Sequence, residues 1–319
     1  MHKYGYTIIR YLSVVHTMSH PNFSATGPTQ RAGQSMPQAP AVPAVNPLKN
    51  FFRQYKMFIG LPSGADYYGA SVLEYTPNGE VGVMAMTGQD ELIMKNPDAL
   101  LNGEALVQVI SSCVPSVRNP RALLTNDITA LITAIRHVTY NDKLETELEC
   151  PSCKHKTLFK IDLAATLASM TYLEPEYALH LPDGLSVYVR PYGFDEVLKS
   201  LHSQFEQSKI ARAVTTPGLT DEERNRVLNE VFVHISRTTY ELTCASVYRV
   251  VSEASNIDVS DPKHIAEFIR NVDRDVTERL QKLIEEVNRV GVDDKFTAVC
   301  EKCQHTWTSE IDFNPVNFS

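Results

Sequence analysis

ECPSCKHKTLFKIDL, Glu149 to Leu163, is written a second time near the end of the chain as VCEKCQHTWTSEIDF, Val299 to Phe313. Cys150 repeats as Cys300, Cys153 as Cys303, His155 as His305 and Ile161-Asp162 as Ile311-Asp312, so the thiols and the strand behind them are duplicated together. Each C-x-x-C lies between two runs of strand character: Leu144–Glu149 and Leu158–Leu163 around the first, Phe296–Val299 and Trp307–Phe313 around the second. Two knuckle hairpins are expected. One knuckle supplies two thiolates and a tetrahedral zinc ion takes four. The economical solution is one ion held by Cys150, Cys153, Cys300 and Cys303, which closes both hairpins into a zinc ribbon.

Bringing together ends about 150 residues apart costs about 4 to 5 kcal/mol of loop entropy plus a constant. A structural zinc site contributes roughly 10 to 16 kcal/mol, so the metal outweighs the closure. The competing readings are disulfides or thioredoxin-like redox pairs. Neither C-x-x-C opens a helix as a redox pair does, and two knuckles at one fixed offset favour the metal. His155 and His305 are read as hydrogen-bonding or exposed strand residues, not ligands. The two remaining cysteines, Cys113 and Cys244, stand singly in apolar helical patterns and are read as core thiols, which together with the C-x-x-C pairs fits a reducing compartment.

A chain of 319 residues that is 43% hydrophobic and 21% charged can bury a substantial core. Its net charge of -8 offers no general attraction to phosphate backbones, which argues against nucleic acid as the partner of the ribbon. No run approaches the length of a membrane span. The apolar patch in MHKYGYTIIRYLSVVHT is interrupted by Arg10 and followed by no small-residue cleavage site, so it is not read as a signal peptide. Residues upstream of Met18 are read either as the product of too early a start or as a docking peptide built on Tyr4, Tyr6, Ile8, Ile9, Tyr11 and Leu12. Residues 19–47, rich in Pro, Ala, Gln and Ser and almost uncharged, read as a disordered arm.

Folded structure is expected from Phe51. Ser71–Tyr75 and Glu80–Met86 read as strands joined by a Thr76-Pro77-Asn78-Gly79 turn. Thr87 and Asp90 form a capping box for a helix Gly88–Lys95, and Asn96-Pro97-Asp98 starts a further turn. Glu104–Cys113 places Leu106, Val109, Ile110 and Cys113 on one face, and Asp127–Val138 carries a buried stripe at Ile128, Leu131, Ile132, Ile135 and Val138.

LPSGADYY at Leu61–Tyr68, the run Val83–Val117 and the knuckle ECPSC resemble the baseplate proteins of T-even-type contractile-tail phages, in the baseplate hub assembly family. The most specific part is MTGQDELIMKNPDALLNG, Met86–Gly103, and the resemblance covers roughly residues 61 to 163. It implies a structural or assembly protein of a myophage tail baseplate, at the central hub, with no catalytic activity. Its partners would be other baseplate or hub proteins, met in the host cytoplasm during assembly or in the tail baseplate of the virion. A partner surface around Leu92, Ile93, Met94, Leu100 and Leu101 is expected, because two short helices there carry more apolar residues than one face needs.

Further along, Tyr177–Leu181 and Leu185–Tyr192 read as a hairpin and Phe194–Arg212 as a helix. A long helix capped by Thr220 is expected to reach about Ala254, and a last one to start after Ser260-Asp261-Pro262 and run 28 residues to about Val290, spanning about 42 Å. The chain is thus read as α+β: mainly helical, with short antiparallel hairpins and a zinc ribbon made from two distant C-x-x-C knuckles. Its expected divisions are an arm (1–50), an α+β region ending in the first knuckle (51–163), a mainly helical segment with one hairpin (164–294), and the second knuckle (295–319) completing the ribbon with 144–163. No phosphate-binding glycine loop, H-E-x-x-H or G-x-S-x-G is present, so no enzyme is read from the motifs. The rival function is a zinc-ribbon nucleic-acid-binding or transcription-associated module. It would need a basic face, whereas the ribbon sets Lys154, Lys156, Lys160 and Lys302 against Glu149, Asp162, Glu301, Glu310 and Asp312.

Overall fold

The computed structural model describes residues 46–311 except 47, 97–98, 101, 141, 183, 201–220 and 253. Most of the expected arm, Pro97-Asp98, Leu101, the second half of the helix expected at 194–212, the Thr220 cap and the last residues of the second knuckle strand lie outside the described residues. Contacts divide the chain into Met1–Gln54 and Tyr55–Ser319. In the first unit the described residues form a 3-10 turn, Lys49–Phe51, closed by the Phe52 amide on the Lys49 carbonyl.

The second unit begins with strand β1 (Tyr55–Ile59), antiparallel to β2 (Val81–Met84), with Met57 opposite Val83 and Ile59 opposite Val81. This corrects the expected pairing of 71–75 with 80–86. The Thr76–Gly79 turn is present, with Gly79 at φ 75° and its amide 2.9 Å from the Thr76 carbonyl. However, the amides of Val72 and Leu73 both donate to the Gly69 carbonyl, and Leu73 makes only an isolated bridge to Val117. Backbone groups engaged in a turn cannot also form a ladder, and β1 takes the partner position.

Helices α1 (Gly88–Met94), α2 (Glu104–Cys113) and α3 (Thr125–Thr139) complete the first core. The α1 capping box is formed: the Thr87 amide donates to Asp90 at 2.7 Å and the Asp90 amide to the Thr87 hydroxyl at 3.3 Å. Ile128, Ala130, Leu131, Ile132, Ala134 and Ile135 are buried, and so are the polar Asn126, Asp127, Thr133 and Arg136, so α3 is buried nearly all round and lies inside the fold. The LPSGADYY loop is held against its first turn by Asp127, which accepts the Ser63 amide at 3.0 Å and the Tyr68 hydroxyl. That hydroxyl in turn accepts the Leu124 amide at 2.7 Å.

β3 (Lys143–Glu149), β4 (Lys156–Asp162) and the short helix α4 (Leu163–Ala168) follow. A second core then forms on a four-stranded antiparallel sheet of β5 (Tyr177–His180), β6 (Leu185–Val189), β7 (Val247–Ser252) and β8 (Ile257–Val259), in that order. Residues 194–200 are helical and send Leu198 into the first core. Helix α5 (Asp221–Ser246) ends eight residues before the expected Ala254, because Val247, Val250 and Val251 join the sheet beside β6. These β-branched residues suit a half-buried strand better than a helix.

The single long helix expected after Pro262 is two helices, α6 (Pro262–Asn271) and α7 (Arg274–Asn288). Val272 and Asp273 between them are extended, with ψ 159° and 151°. The break lets Ile265 and Ile269 of α6 and Leu280, Ile284 and Val287 of α7 share one core with Val187 and Val250, which a straight rod could not place. Strands β9 (Lys295–Val299) and β10 (Thr306–Glu310) close the described chain.

Candidate metal centre

The duplicated sequence is a duplicated structure. β3 pairs with β4 and β9 with β10, ending in equivalent pairs, Glu149 opposite Lys156 and Val299 opposite Thr306. In each loop the amide of the first cysteine donates to the histidine carbonyl: Cys150 to His155 and Cys300 to His305, both at 2.9 Å. The residue after the second cysteine donates back to the first, Lys154 to Cys150 and Gln304 to Cys300, both at 3.0 Å. Lys154 and Gln304 occupy the left-handed region, at φ 60° and 57°, where non-glycine residues are uncommon. That shared turn folds each loop so tightly that its two thiols converge.

All four thiols then meet. Cys150 Sγ lies 3.7 Å from Cys303 Sγ, and Cys153 Sγ 3.6 Å from Cys300 Sγ. The four sulfurs lie within 4.8 Å of one another. Four sulfurs placed 2.3 Å from a central zinc would be separated by about 3.8 Å, so the set fits a tetrahedral ligand shell. The spacing is too long for disulfides, in which sulfurs are about 2.05 Å apart, and the cysteines are free. Exchanging the knuckles swaps the pair Cys150/Cys303 with Cys300/Cys153, so the cluster has a local two-fold. Cys150 and Cys300 are buried, Cys153 is half-buried and Cys303 exposed. His155 and His305 are exposed and lie outside the cluster, and His305 stacks on Trp307 at 6.1 Å.

Cys300 and Cys303 do not titrate alike. Hydrogen bonding from the Cys303 amide, helped by the Lys302 amide and the neighbouring thiols, lowers Cys300 to about 6. At Cys303 a hydrogen bond from the His305 backbone acts downward, but hydrogen bonding with the thiols of Cys153, Cys300 and Cys150 pushes it up to about 12. Negative charge on one of these two sulfurs therefore opposes charge on the other.

Behind the thiols the hairpins share a third core of Leu144, Ile161, Leu163, Val292 and Ile311 with Ala130 of α3. Phe159 of β4 meets Phe296 and Trp307 edge to face, at 5.6 and 5.9 Å, and joins the two hairpins. The end of α7 is pinned to α3 by a residue that carried no sequence signal: Asn126 Nδ2 donates to the carbonyls of Val287 and Val290, at 3.1 and 2.6 Å. Thr171 adds a reciprocal pair with Gly291, its amide 2.9 Å from the Gly291 carbonyl and its hydroxyl 3.0 Å from the Gly291 amide. Only a search for buried asparagines at helix starts could have singled out Asn126, and the pattern is not specific.

On the outward face of the first hairpin Lys154, Lys156 and Lys160 pair with Glu149, Glu147 and Glu145, at 3.3, 2.7 and 2.8 Å. Three of the four lysines weighed for phosphate contact are thus neutralised by partners. At the expected partner surface, Leu92 is 70% exposed, Met94 is buried, and Ile93 and Leu100 are half-buried against the first core. Of the two single cysteines, Cys113 is buried in the first core, whereas Cys244 is only half-buried at the margin of the second.

Fold and site together define an α+β protein in which two distant Cys-x-x-Cys knuckles converge on one four-thiol cluster, and no helix among the described residues is long and apolar enough to cross a membrane. Residues 70–317 match the family of the T4 bacteriophage base plate protein, and the chain belongs to that family. The match starts after LPSGADYY but includes Met86–Gly103 and both knuckles, and so reaches well beyond the stretch that carried the sequence resemblance. No curated protein and no solved structure matches the chain.

Proposed function

We propose that this baseplate protein is a structural or assembly component of the central hub of a contractile phage tail, and that Cys150, Cys153, Cys300 and Cys303 hold one structural zinc ion. The observation that carries the metal reading is the sulfur spacing of 3.6 and 3.7 Å across the two knuckles, close to a tetrahedral edge. Zinc supplies charge neutralisation and a fixed geometry. Four protein ligands leave no open position for substrate, so the role is structural.

The protein's own residues prepare the site. The left-handed Lys154 and Gln304 shape the loops, the Phe159–Phe296–Trp307 contacts align the hairpins, and Asn126 and Thr171 hold the end of α7 beside α3. The knuckle at 295–319 and the strands at 144–163 then act as a clasp that closes the segment 164–294 onto 51–163. The arm at 1–50 is assigned no part in it.

Function on this reading lies in surfaces presented to other baseplate or hub proteins, with exposed Leu92 on α1 as part of the contact. The protein would meet these partners in the host cytoplasm and take its place in the virion tail. Elemental analysis of purified protein should give one zinc per chain, lost in Cys150→Ser and in Cys300→Ser. Co-expression with the other baseplate proteins should recover a hub complex. Zinc without any baseplate partner would defeat the hub reading, recovery of nucleic acid alone would favour a nucleic-acid module, and metal retained in both variants would defeat the shared site.

A further inference from the structure

α5 is 26 residues long, and among its described residues the buried side chains all lie in its last part. Thr238, Leu242, Thr243 and Ser246 are buried, where the helix meets α6, α7 and β7. The preceding turns are more open, with Asn225, Arg226, Asn229, Glu230, Ser236 and Arg237 exposed and Val231 and His234 half-buried. A free-standing helix of this length gains little stability in water by itself.

Along it Leu228, Phe232 and Ile235 are 52%, 68% and 41% exposed. Their spacing is four then three, and Thr239 and Leu242 continue the rhythm into the core, with Asn225 one step before it. This is the a/d seam of a heptad repeat, continuous with the face that α5 already buries. From Leu228 to Thr239 the positions beside the seam, Asn229, Val231, Ser236 and Thr238, are uncharged. Arg226, Glu230 and Arg237 lie on the opposite side, where Arg226 reaches Glu230 at 3.7 Å.

We propose that the more open half of α5 pairs in parallel, in register, with the same helix of a second copy of this chain. A parallel homotypic seam sets every residue beside its own kind, which charged flanks would oppose and these uncharged flanks permit. The exposed apolar residues form a patch of a few hundred Å², a size that soluble monomers rarely leave open without a use. From Asn225 to Thr239 the seam runs about 21 Å. Two helices closing over it bury on the order of 1,000 Å² in total, the lower limit for a specific interface, so association at micromolar concentration is expected. The pairing does not depend on the metal.

The test is the mass of the full-length protein by light scattering or sedimentation from about 1 to 100 µM, the range set by that small interface. The mass should rise towards twice the monomer value. Phe232→Glu should hold the protein monomeric across the range. Val233→Glu should not, because Val233 is equally apolar and 57% exposed but faces away from the seam. Both sites are on the surface, and circular dichroism should show both variants folded. Asn225→Cys should form an inter-chain disulfide on mild oxidation. A wild type that stays monomeric throughout, whether its stripe is covered within the chain or kept for a different protein, overturns the proposal. So does equal disruption by Phe232→Glu and Val233→Glu, and a dimer that Asn225→Cys fails to cross-link overturns the parallel register.

Discussion

Asn126→Ala tests how the fold brings the second knuckle to the first. Asn126 is buried at the start of α3, and its amide serves the carbonyls of Val287, which is buried, and Val290, which is half-buried. Truncation leaves both without this donor. The buried Val287 carbonyl keeps the Val290 amide at 3.3 Å, the half-buried Val290 carbonyl loses this donor, and loss of the unpartnered Asn126 Oδ1 returns a little, for a net loss of about 1–2 kcal/mol. For a unit of this size that corresponds to a drop in Tm of roughly 2–8 °C. Asn126→Asp, which also removes the donor and adds a buried carboxylate, should lose more.

The same pin brings the ends of the metal-closed loop together, and a wholly unpinned loop of this length would add about 4 kcal/mol to closure. Partial release should therefore weaken metal retention by about tenfold or more. Trp307 is the only tryptophan and sits in the second knuckle beside His305, so its emission reports the site directly. Titrating a chelator against wild type and Asn126→Ala, alongside thermal melts, measures both effects. A variant with wild-type Tm and an unshifted chelator midpoint would refute the reasoning, because the two carbonyls would then have found other donors and the knuckle would not depend on this pin.

Tyr68→Phe removes the hydroxyl shared by Asp127 and the Leu124 amide, and should lower the urea unfolding free energy by about 1–3 kcal/mol. Burial holds Asp127 above the ordinary carboxylate range, despite the Tyr68 and Ser63 hydrogen bonds that favour its charged form. The native state therefore keeps this proton longer than the unfolded chain does. The resulting stability is complete below the ordinary carboxylate range and declines as pH rises through the raised native value. Urea midpoints across the acidic range should show that decline in the wild type and a flatter profile in Asp127→Asn; identical profiles would exclude Asp127 as its source. Leu92→Asp, at an exposed position, should leave Tm and zinc content unchanged while reducing recovery of baseplate partners in pull-downs, and full recovery would remove Leu92 from the contact.

The knuckles were legible because their chemistry is local. A C-x-x-C loop needs its cysteines, one left-handed residue and two short strands, all within about twenty positions, and duplication at one offset singled out Cys150, Cys153, Cys300 and Cys303 together. The Thr87–Asp90 capping box and the stripes of α2 and α3 were equally legible, since a cap closes within one turn and a helix repeats its face every 3.6 residues. What the chain could not reveal by itself was the choice of distant partners. The hairpin turn at 76–79 is real, but which strand lies beside β2 depends on β1 more than twenty residues upstream. Val247–Ser252 fits the end of a helix until the open edge of β6 offers it a ladder, and the helix after Pro262 breaks at Val272 because two directions, not one, cover the sheet. Asn126 is a plain polar residue until the carbonyls at the end of α7 arrive above it. In each case the deciding energy is a hydrogen bond or a buried face supplied by residues far along the chain, and only the folded structure places them within reach.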